Sequence, residues 1–460
     1  MNSVNKNDIK KSLSLDKSGL QIVLLCATLE LIFYFALNNP ILSYFGAGLL
    51  TLITLFLNIN QLIYIFVFLL PNQRLLTLPD SDITLLNIFL IIVFIRCFAF
   101  GTILIRKKYF FLVSLIIIYS FLTYGQIGNI SNIVAGFKFS LIIIVLLIVF
   151  EKNLNDKNWY FHLVIFFTLG CLLTGFLGLL FGDKIVIGDT DRFSGVGGFD
   201  ADLASLNFSL AFSNFLVLMI INKLYSLKAI TIILFLIMFG LLTQSRSFVL
   251  VLAFCILFFI ITSLKSKNTR KAVVMILFGF LILFVLINLI PDSIIGKLFY
   301  GAWERVINPR SGDISNNRFF YWEAYLNILL SNMRYLLWGL GSTANYLILD
   351  IKEVAHNGLI EVVLSWGIVG ALIIITTFVY AYKFLKSIFI KGVENKLGIL
   401  GYLPLLVLII TNMTGHAFTS IIFVTQLFIS YQAIFETKRI WQNQKFLNSK
   451  TECISAFKSV

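Results

Sequence analysis

The feature that most constrains this chain is a succession of apolar stretches, each long enough to cross a membrane. An α-helix needs roughly 17–25 apolar residues to span a hydrocarbon core of about 30 Å. Only 13% of the 460 residues are charged, about half the share found in soluble proteins, and the mean hydropathy is +0.94. A membrane β-barrel would instead alternate apolar and polar residues over short segments, a pattern that this sequence lacks. The sequence therefore predicts an all-α polytopic membrane protein.

The apolar stretches predict about fourteen transmembrane helices. Their approximate bounds are 20–37, 41–57, 59–70, 84–101, 109–124, 132–150, 160–180, 203–221, 228–243, 247–263, 272–290, 357–382, 397–412 and 415–435. Because the third stretch is short, the pair 41–70 has a second interpretation as a re-entrant hairpin, which leaves about twelve spans. The predicted divisions are N-terminal transmembrane helices over 1–290, an extracytoplasmic loop over 291–355, C-terminal transmembrane helices over 356–435 and a cytoplasmic tail over 436–460.

Clusters of Lys and Arg predict the orientation in the membrane. They fall in alternate loops, for example at Arg106-Lys107-Lys108 and between Lys265 and Lys271, and at the N-terminus. Loops rich in Lys and Arg stay in the cytoplasm, so we expect both termini there, in a protein of the cytoplasmic (inner) membrane. The net charge of +14 then reflects topology, and no nucleic-acid partner is expected. The five cysteines show no spacing typical of zinc sites or disulfides.

Several arginines lie in loops that this orientation makes extracytoplasmic, where topology does not explain them. They are Arg192, Arg246, Arg305, Arg310, Arg318 and Arg334. Arginine is the preferred phosphate ligand because its planar guanidinium donates two parallel hydrogen bonds. Any single one could instead pair with Asp or Glu in its own loop, but the set as a whole favours an anionic ligand on the outer face.

Two of these arginines stand in short motifs. Arg192 precedes the glycines Gly195, Gly197 and Gly198 in a loop that leads into a predicted span. Glycines let the backbone approach a ligand, and an arginine beside free amides at a helix start is a plausible phosphate cradle. Arg246 stands in Thr243-Gln-Ser-Arg-Ser between two spans; from spacing alone, this motif is typical of a tight turn.

The sequence His356-Asn357-Gly-Leu-Ile-Glu361 follows the long loop and begins a predicted span. Asn357 and Glu361 are four residues apart and therefore share one helix face. His356 stands at the end of a loop that carries several arginines, where a side chain of near-neutral pKa can accept a proton from a hydroxyl. His162, beside two aromatic residues, is interpreted as an interfacial anchor, and His416, in a short external turn, is a secondary candidate.

Two basic residues fall inside predicted spans, where charge is costly and side chains usually face the bundle interior. Arg96 lies nearer the cytoplasmic end, and we interpret it as structural. Lys138 lies in the outer third of its span, where a lipid phosphate and a carboxylate are both possible partners. In the long loop, apolar residues from Phe319 to Leu337 recur at helical spacing. This pattern fits an amphipathic helix on the outer membrane interface and equally a helix that packs within a small loop domain.

Together these motifs resemble the O-antigen ligase/polymerase superfamily. The resemblance rests on Arg-x-x-Gly before one span, Ser-Arg at the next external turn, and a long external loop after it. It continues through Arg318-x3-Trp322, Trp338-Gly-x-Gly341, His356-Asn-Gly-x-x-Glu361 and Gly367-x-x-Gly370. Many members have Pro-Asn after the glycine loop, whereas this chain has Ala201-Asp202, so no role is carried over from that Asn.

The resemblance implies a GT-C-like fold and a metal-independent, inverting glycosyltransferase without a cofactor. Its substrate would be an oligosaccharide linked to undecaprenyl diphosphate. By position, the arginines would hold the diphosphate and His356 would activate the acceptor hydroxyl. The diphosphate ligands are then Arg192, Arg246, Arg318 and Arg310. Support of the substrate site is expected from Asn357, Glu361, Gly195 and Lys138.

The function predicted from the sequence is a Wzy-type polymerase for O-antigen, capsule or exopolysaccharide, which acts at the outer face of the cytoplasmic membrane. Its implied partners are the lipid bilayer, a chain-length regulator and a flippase. The nearest alternative is a ligase of the same superfamily that transfers glycan to lipid A–core, since the motifs do not separate the two. A transporter of lipid-linked glycan is a more distant alternative, because transporters usually show internal repeats and polar residues at the midplane.

Overall fold

The computed structural model describes most of the transmembrane part of the chain. The described residues are 15–36, 39–73, 75–77, 84–99, 107–128, 130–156, 158–181, 185–187, 190–193, 201–222, 224, 226–263, 274, 285, 300, 304, 318–341, 355–389, 396–413 and 418–458. All structural statements below concern these residues. The predicted span 272–290 and the residues Arg310 and His416 lie largely or wholly outside them.

The described chain is built almost entirely from helices. The first group comprises α1 (Lys17–Ala36), α2 (Pro40–Phe56), α3 (Ile59–Leu69), α4 (Leu85–Ala99), α5 (Lys107–Ile127), α6 (Ser131–Asn153), α7 (Trp159–Phe181), α8 (Ala201–Ile221), α9 (Leu227–Leu242) and α10 (Arg246–Ser263). The second group comprises α11 (Arg318–Ser331), α12 (Met333–Trp338), α13 (Gly358–Ile388), α14 (Leu403–Asn412) and α15 (Ile421–Lys458). Short 3-10 helices cover Leu70–Asn72 and Lys396–Tyr402. Two three-residue strands, β1 (Ile185–Ile187) and β2 (Thr190–Arg192), form an antiparallel hairpin before α8.

These helices confirm the predicted class, an all-α, multi-pass membrane protein. Within the described residues, six helices are long and apolar enough to cross a membrane: α1, α5, α6, α7, α8 and α13. Shorter apolar helices occupy most of the other predicted spans, among them α2, α9 and α10. The total number of spans and the GT-C-like arrangement stay predictions. The β1–β2 hairpin was not predicted, because strands of three residues carry too little pattern to be recognised.

Helix α8 lies at the centre of the bundle. Within its apolar segment 89% of the residues are buried, against 28% in α5. It contacts α7, α9, α10, α14 and α15. Because other helices surround α8, its N-terminus at Ala201 is held in place by the core.

Four contacts define the direction of the helices. Tyr109 of α5 contacts both Glu151 near the end of α6 and Phe384 near the end of α13. Phe150 near the end of α6 packs on Trp159 at the start of α7, and Tyr160 of α7 hydrogen-bonds to Asn214 in the second half of α8. Helix α7 is therefore antiparallel to α6 and to α8. The N-termini of α6, α8 and α13 consequently lie at the same end of the bundle.

Arg96 has the structural role expected from its position. Its Nη1 donates hydrogen bonds to the carbonyls of Thr54 and Leu57 at the C-terminal end of α2. These carbonyls have no partner within the helix, and a cation beside them also interacts favourably with the helix dipole. Lys138 is exposed on α6, so its predicted partner is not among the core side chains.

Helices α3 and α7 are packed at backbone distance. A Cβ added at Gly170 of α7 would overlap the carbonyl of Phe68 in α3. Small residues permit such close approach between membrane helices, where packing supplies much of the association energy. Gly48 of α2 is also helical, but a Cβ there would meet open space.

We expect Gly170→Ala to lower the stability of the purified protein by about 1–3 kcal/mol, because the added methyl group overpacks a rigid contact. Gly48→Ala is the matched control, and it should be neutral or stabilising by up to about 1 kcal/mol, since alanine favours the helix. Thermal unfolding in detergent measures both variants. Equal melting temperatures for the two variants would contradict the close contact of α3 with α7.

Candidate functional site

The turn before α13 carries the sequence His356-Asn357 and has a tightly defined backbone. His356 adopts a left-handed conformation, with φ of 49°. Asn357 caps α13, and its Oδ1 accepts hydrogen bonds from the amides of Leu359 at 3.0 Å and Ile360 at 3.2 Å. The backbone N–H of His356 donates to the carboxyl group of Glu361 one turn further on. Asn357 and Glu361 therefore hold the turn that presents His356, which is half-buried.

Helix α11 of the long loop packs against this turn. The indole Nε1 of Trp322 donates to the carbonyl of Ala355 at 2.7 Å, directly before His356. Tyr325 and Leu329 on the same helix are buried in a small apolar cluster with Leu364 of α13. Arg318 begins α11 and stands four residues before Trp322, so both lie on one face of the helix. Arg318 is thus on the side of α11 that faces the His356 turn.

The opposite face of α11 and α12 is apolar and exposed. Its residues are Phe319, Phe320, Leu326, Leu330, Met333 and Leu337. Both interpretations of the loop helix thus have support in one structure, because one face packs within a loop domain and the other remains available to a membrane interface.

Helix α13 is broken at Gly367, where φ is 67° and ψ is 178°. The break lies nine residues after the start of the helix, about 14 Å along its axis. Carbonyls before the break lose their partners within the helix and find others. The carbonyl of Leu364 accepts from the amide of Leu340 at 2.6 Å, and that of Ser365 from the amide of Gly341 at 3.2 Å. The carbonyl of Trp366 accepts from the Tyr119 hydroxyl of α5.

The glycines at this break are required by backbone contact. A Cβ at Gly367 would overlap the carbonyl of Leu337, and a Cβ at Gly339 would lie 2.6 Å from the amide nitrogen of Gly367. The ring of Tyr119 stacks between Trp338, at 5.7 Å, and Trp366, at 6.4 Å. The motifs Trp338-Gly-x-Gly341 and Gly367-x-x-Gly370 are therefore the two sides of a single contact, hereafter the glycine clasp, which joins the long loop to α13 and α5.

A second cluster forms where the β1–β2 hairpin meets α9. The amide of Phe193, next to Arg192, donates to the carbonyl of Leu242 at 3.3 Å. The Phe193 ring is buried and stacks on Phe239 of α9. This contact places the backbone of Arg192 beside the turn that leads to Arg246. The side chain of Arg192 and the residue Gly195 lie outside the described structure.

The turn from Thr243 to Ser245 is the tight turn that its spacing indicated, and it is also buried and polar. Gln244 takes a left-handed φ of 53°. The hydroxyl of Ser247 lies 2.7 Å from that of Ser245 and 3.5 Å from that of Ser205 in α8. The starts of α8 and α10 therefore meet. A helix N-terminus carries a partial positive charge, so two of them beside the half-buried Arg246 form an environment that favours an anion. Asp202 in the first turn of α8 offsets part of this charge.

Both clusters lie at the same end of the bundle. One surrounds the start of α13 and the other the starts of α8 and α10, and the helix directions given above bring these N-termini to one end. The predicted residues Arg318, Asn357 and Glu361 join His356 in the first cluster, and Arg246 belongs to the second. Lys138 belongs to neither. Within the described residues, no three His, Cys, Asp or Glu side chains come close enough together to hold a metal ion.

One comparison with known proteins identifies the region that carries these residues. Residues 230–375 match the family model Wzy_C, described as O-Antigen ligase. The matched segment runs from α9 to the first half of α13 and includes Arg246, Arg318 and His356. No curated protein matches the chain. The match confirms the superfamily resemblance inferred from the motifs, and it does not separate polymerases from ligases.

We expect Gly367→Ala to destabilise the protein more than Gly128→Ala. Both glycines have positive φ, of 67° and 77°, so both variants carry backbone strain of about 1–3 kcal/mol. Only the alanine at Gly367 would also overlap the loop backbone, which adds about 1–3 kcal/mol. Thermal unfolding of the two purified variants measures the difference. Equal loss of stability in both would show that the glycine clasp contributes nothing.

Proposed function

We propose, from its place in the O-antigen ligase/polymerase superfamily, that the chain is a Wzy-type polysaccharide polymerase. It would join repeat units linked to undecaprenyl diphosphate, at the outer face of the cytoplasmic membrane. The family supports a glycan-transferring enzyme in general. The observation that carries the proposal further is the pair of clusters at one end of the bundle, one suited to an anion and the other presenting a histidine.

The proposed roles follow from the chemistry of each cluster. Arg246 and the starts of α8 and α10, together with Arg192 and Arg310, would neutralise the diphosphate as the glycosidic bond breaks. Such preorganised charge is usually the largest catalytic contribution. Arg318 would contact the same group from α11.

His356 would accept the proton of the acceptor hydroxyl, which then attacks the anomeric carbon from the face opposite to the diphosphate. The bond from the anomeric carbon to the diphosphate oxygen breaks, and configuration is inverted. All charge changes are met by arginines, helix N-termini and histidine, so the proposed mechanism is metal-independent. Asn357 and Glu361 position His356 through the turn that they hold.

The exposed apolar face of α11 and α12 is a candidate binding surface for the lipid of the substrate. These helices are fixed to the His356 turn by Trp322 and expose apolar side chains on the other side. A polyprenyl chain held at the membrane interface would therefore lie beside the turn that carries the proposed base.

Arg246→Ala is expected to lower polymerisation by about 10²–10³, the usual effect of removing one donor to a developing negative charge. Arg318→Ala should act similarly. Arg246→Lys keeps the charge and loses the bidentate geometry, so it should retain an intermediate rate. The control is Arg334→Ala, which removes an exposed arginine of the same loop region. Glycan ladders from complemented deletion strains measure the effect, and normal ladders for Arg246→Ala and Arg318→Ala would refute these roles.

His356→Asn tests the proposed base with little change in backbone. Asparagine tolerates the left-handed conformation of His356 but cannot accept a proton near neutral pH. We expect a fall in transfer rate of about 10²–10⁴, typical of a lost general base, with an unchanged melting temperature. Retained activity would leave the arginines as the catalytic centre and reduce His356 to a part of the acceptor site.

A ligase that transfers finished glycan to lipid A–core is the second candidate, since the family match carries that description. The two functions differ in what accumulates when the gene is deleted. Loss of a polymerase leaves surface glycan that is only one repeat unit long. Loss of a ligase leaves long polymer on the carrier lipid, and a gel of glycan from the deletion strain distinguishes the two.

A further inference from the structure

A cavity of about 490 Å³ lies at the opposite end of the bundle from the two clusters. Five helix ends form its wall: the starts of α1, α3 and α7 and the last turns of α4 and α6. Its volume falls within the range of about 300–1,000 Å³ that is typical of small-ligand sites. The proposed glycan transfer does not use it, because the residues assigned to that reaction are at the other end of α6, α8 and α13.

The lining of the cavity that the structure describes holds two cations, Arg96 and Lys152, and one carboxylate, Asp16. A second carboxylate, Asp156, lies outside the lining but near enough to Tyr64 to interact with it electrostatically. Asp16 caps α1, since its Oδ1 accepts from the amide of Gly19 at 2.8 Å. Arg96 is fixed in place by its hydrogen bonds to the end of α2. Cations that are already immobilised lose little freedom on binding, so this charge is preorganised for an anion.

Helix ends and polar side chains strengthen the preference for an anion. Three helices begin at the cavity, and each N-terminus contributes a partial positive charge from its helix dipole. His162 lines the cavity, and its Nδ1 lies 3.4 Å from the hydroxyl of Tyr64. The Tyr64 ring stacks on Phe166 at 5.0 Å, which gives the cavity one rigid aromatic wall.

The floor of the cavity is also rigid. The amides of Asn60 in α3 and Asn153 in α6 exchange two hydrogen bonds of 3.0 Å each. Asn58 and Gln61 close the start of α3 with a reciprocal capping box. The cavity is therefore a built space between helices that are joined to one another.

We propose that this cavity binds a phosphate group, held by Arg96, Lys152 and the adjoining helix starts. Two sources share that chemistry: the headgroup of an anionic phospholipid and a free phosphate compound. Basic pockets between transmembrane helices on the cytoplasmic side suit anionic headgroups, and the predicted orientation places this end of the bundle in the cytoplasm. The site is independent of the proposed glycan transfer.

Lys152→Gln is the test variant, because Lys152 is exposed and its loss should not disturb folding. Lys386→Gln is the matched control. Lys386 is also exposed and lies at the same end of the bundle, since Tyr109 contacts both Glu151 and Phe384, but it does not line the cavity. The full-length protein is purified in detergent and titrated with phosphatidylglycerol, with phosphatidylcholine and with inorganic phosphate, and binding is followed by thermal shift and native mass spectrometry.

We expect phosphatidylglycerol to bind wild type and Lys386→Gln equally, and Lys152→Gln about tenfold more weakly, the effect of losing one charge-assisted hydrogen bond. If only phosphatidylglycerol shows this pattern, the natural ligand is a phospholipid headgroup. If inorganic phosphate shows it as well, the natural ligand is a free phosphate compound. If both variants bound the phosphate probe equally weakly, the loss would reflect general surface charge, and this result would overturn the proposal. Absence of binding by both phosphate probes, or equal binding of phosphatidylcholine, would overturn it as well.

Discussion

The glycine clasp is the interaction on which the rest of the site depends. A helix broken within a membrane protein must find new partners for its carbonyls, because lipid supplies none. Here the partners are the amides of Leu340 and Gly341 and the hydroxyl of Tyr119. The same bonds that satisfy α13 therefore fix the long loop to the bundle. The position of His356 follows, since it lies between the loop helix α11 and the first half of α13.

In the proposed glycosyl transfer, the two clusters would divide the requirements of the reaction between different elements. The starts of α8 and α10 offer fixed positive charge in a rigid core, which suits a leaving group that must be stabilised without rearrangement. His356 stands on a turn that is held from both sides. Trp322 donates to the carbonyl of Ala355 before it, and the carboxyl group of Glu361 accepts from the amide of His356. The core helices thus hold the proposed anion site, and the clasped loop domain holds the proposed base.

Much of this arrangement could be predicted because its causes are local. Apolar length predicts the helices, Asn357 before a helical run predicts a cap, and Arg96 near a helix end predicts a structural cation. The glycine clasp could not be derived in the same way. Trp338 and Gly367 are far apart in the sequence, and nothing in either motif names the other as its partner. The Phe193–Leu242 bond was hidden for the same reason, and from spacing alone the Arg246 motif indicated only a turn.

One buried carboxyl group was not predicted from the sequence. Glu30 lies in α1 and is fully buried, beside Asn72 of the 3-10 helix that follows α3. A single acidic residue in an apolar run is itself a signal of a buried polar contact. The first span thus holds an ionisable group that was not predicted from the sequence.

Under the proposed function, this chain itself transfers glycan between lipid-linked oligosaccharides. The most direct measurement is reconstitution of the purified protein in vesicles with a defined undecaprenyl-diphosphate oligosaccharide and a metal chelator. We expect longer glycan on the carrier lipid and release of undecaprenyl diphosphate, both lowered by about 10²–10³ in Arg246→Ala. Unchanged oligosaccharide with the wild-type protein, under conditions in which it is folded, would contradict the claim.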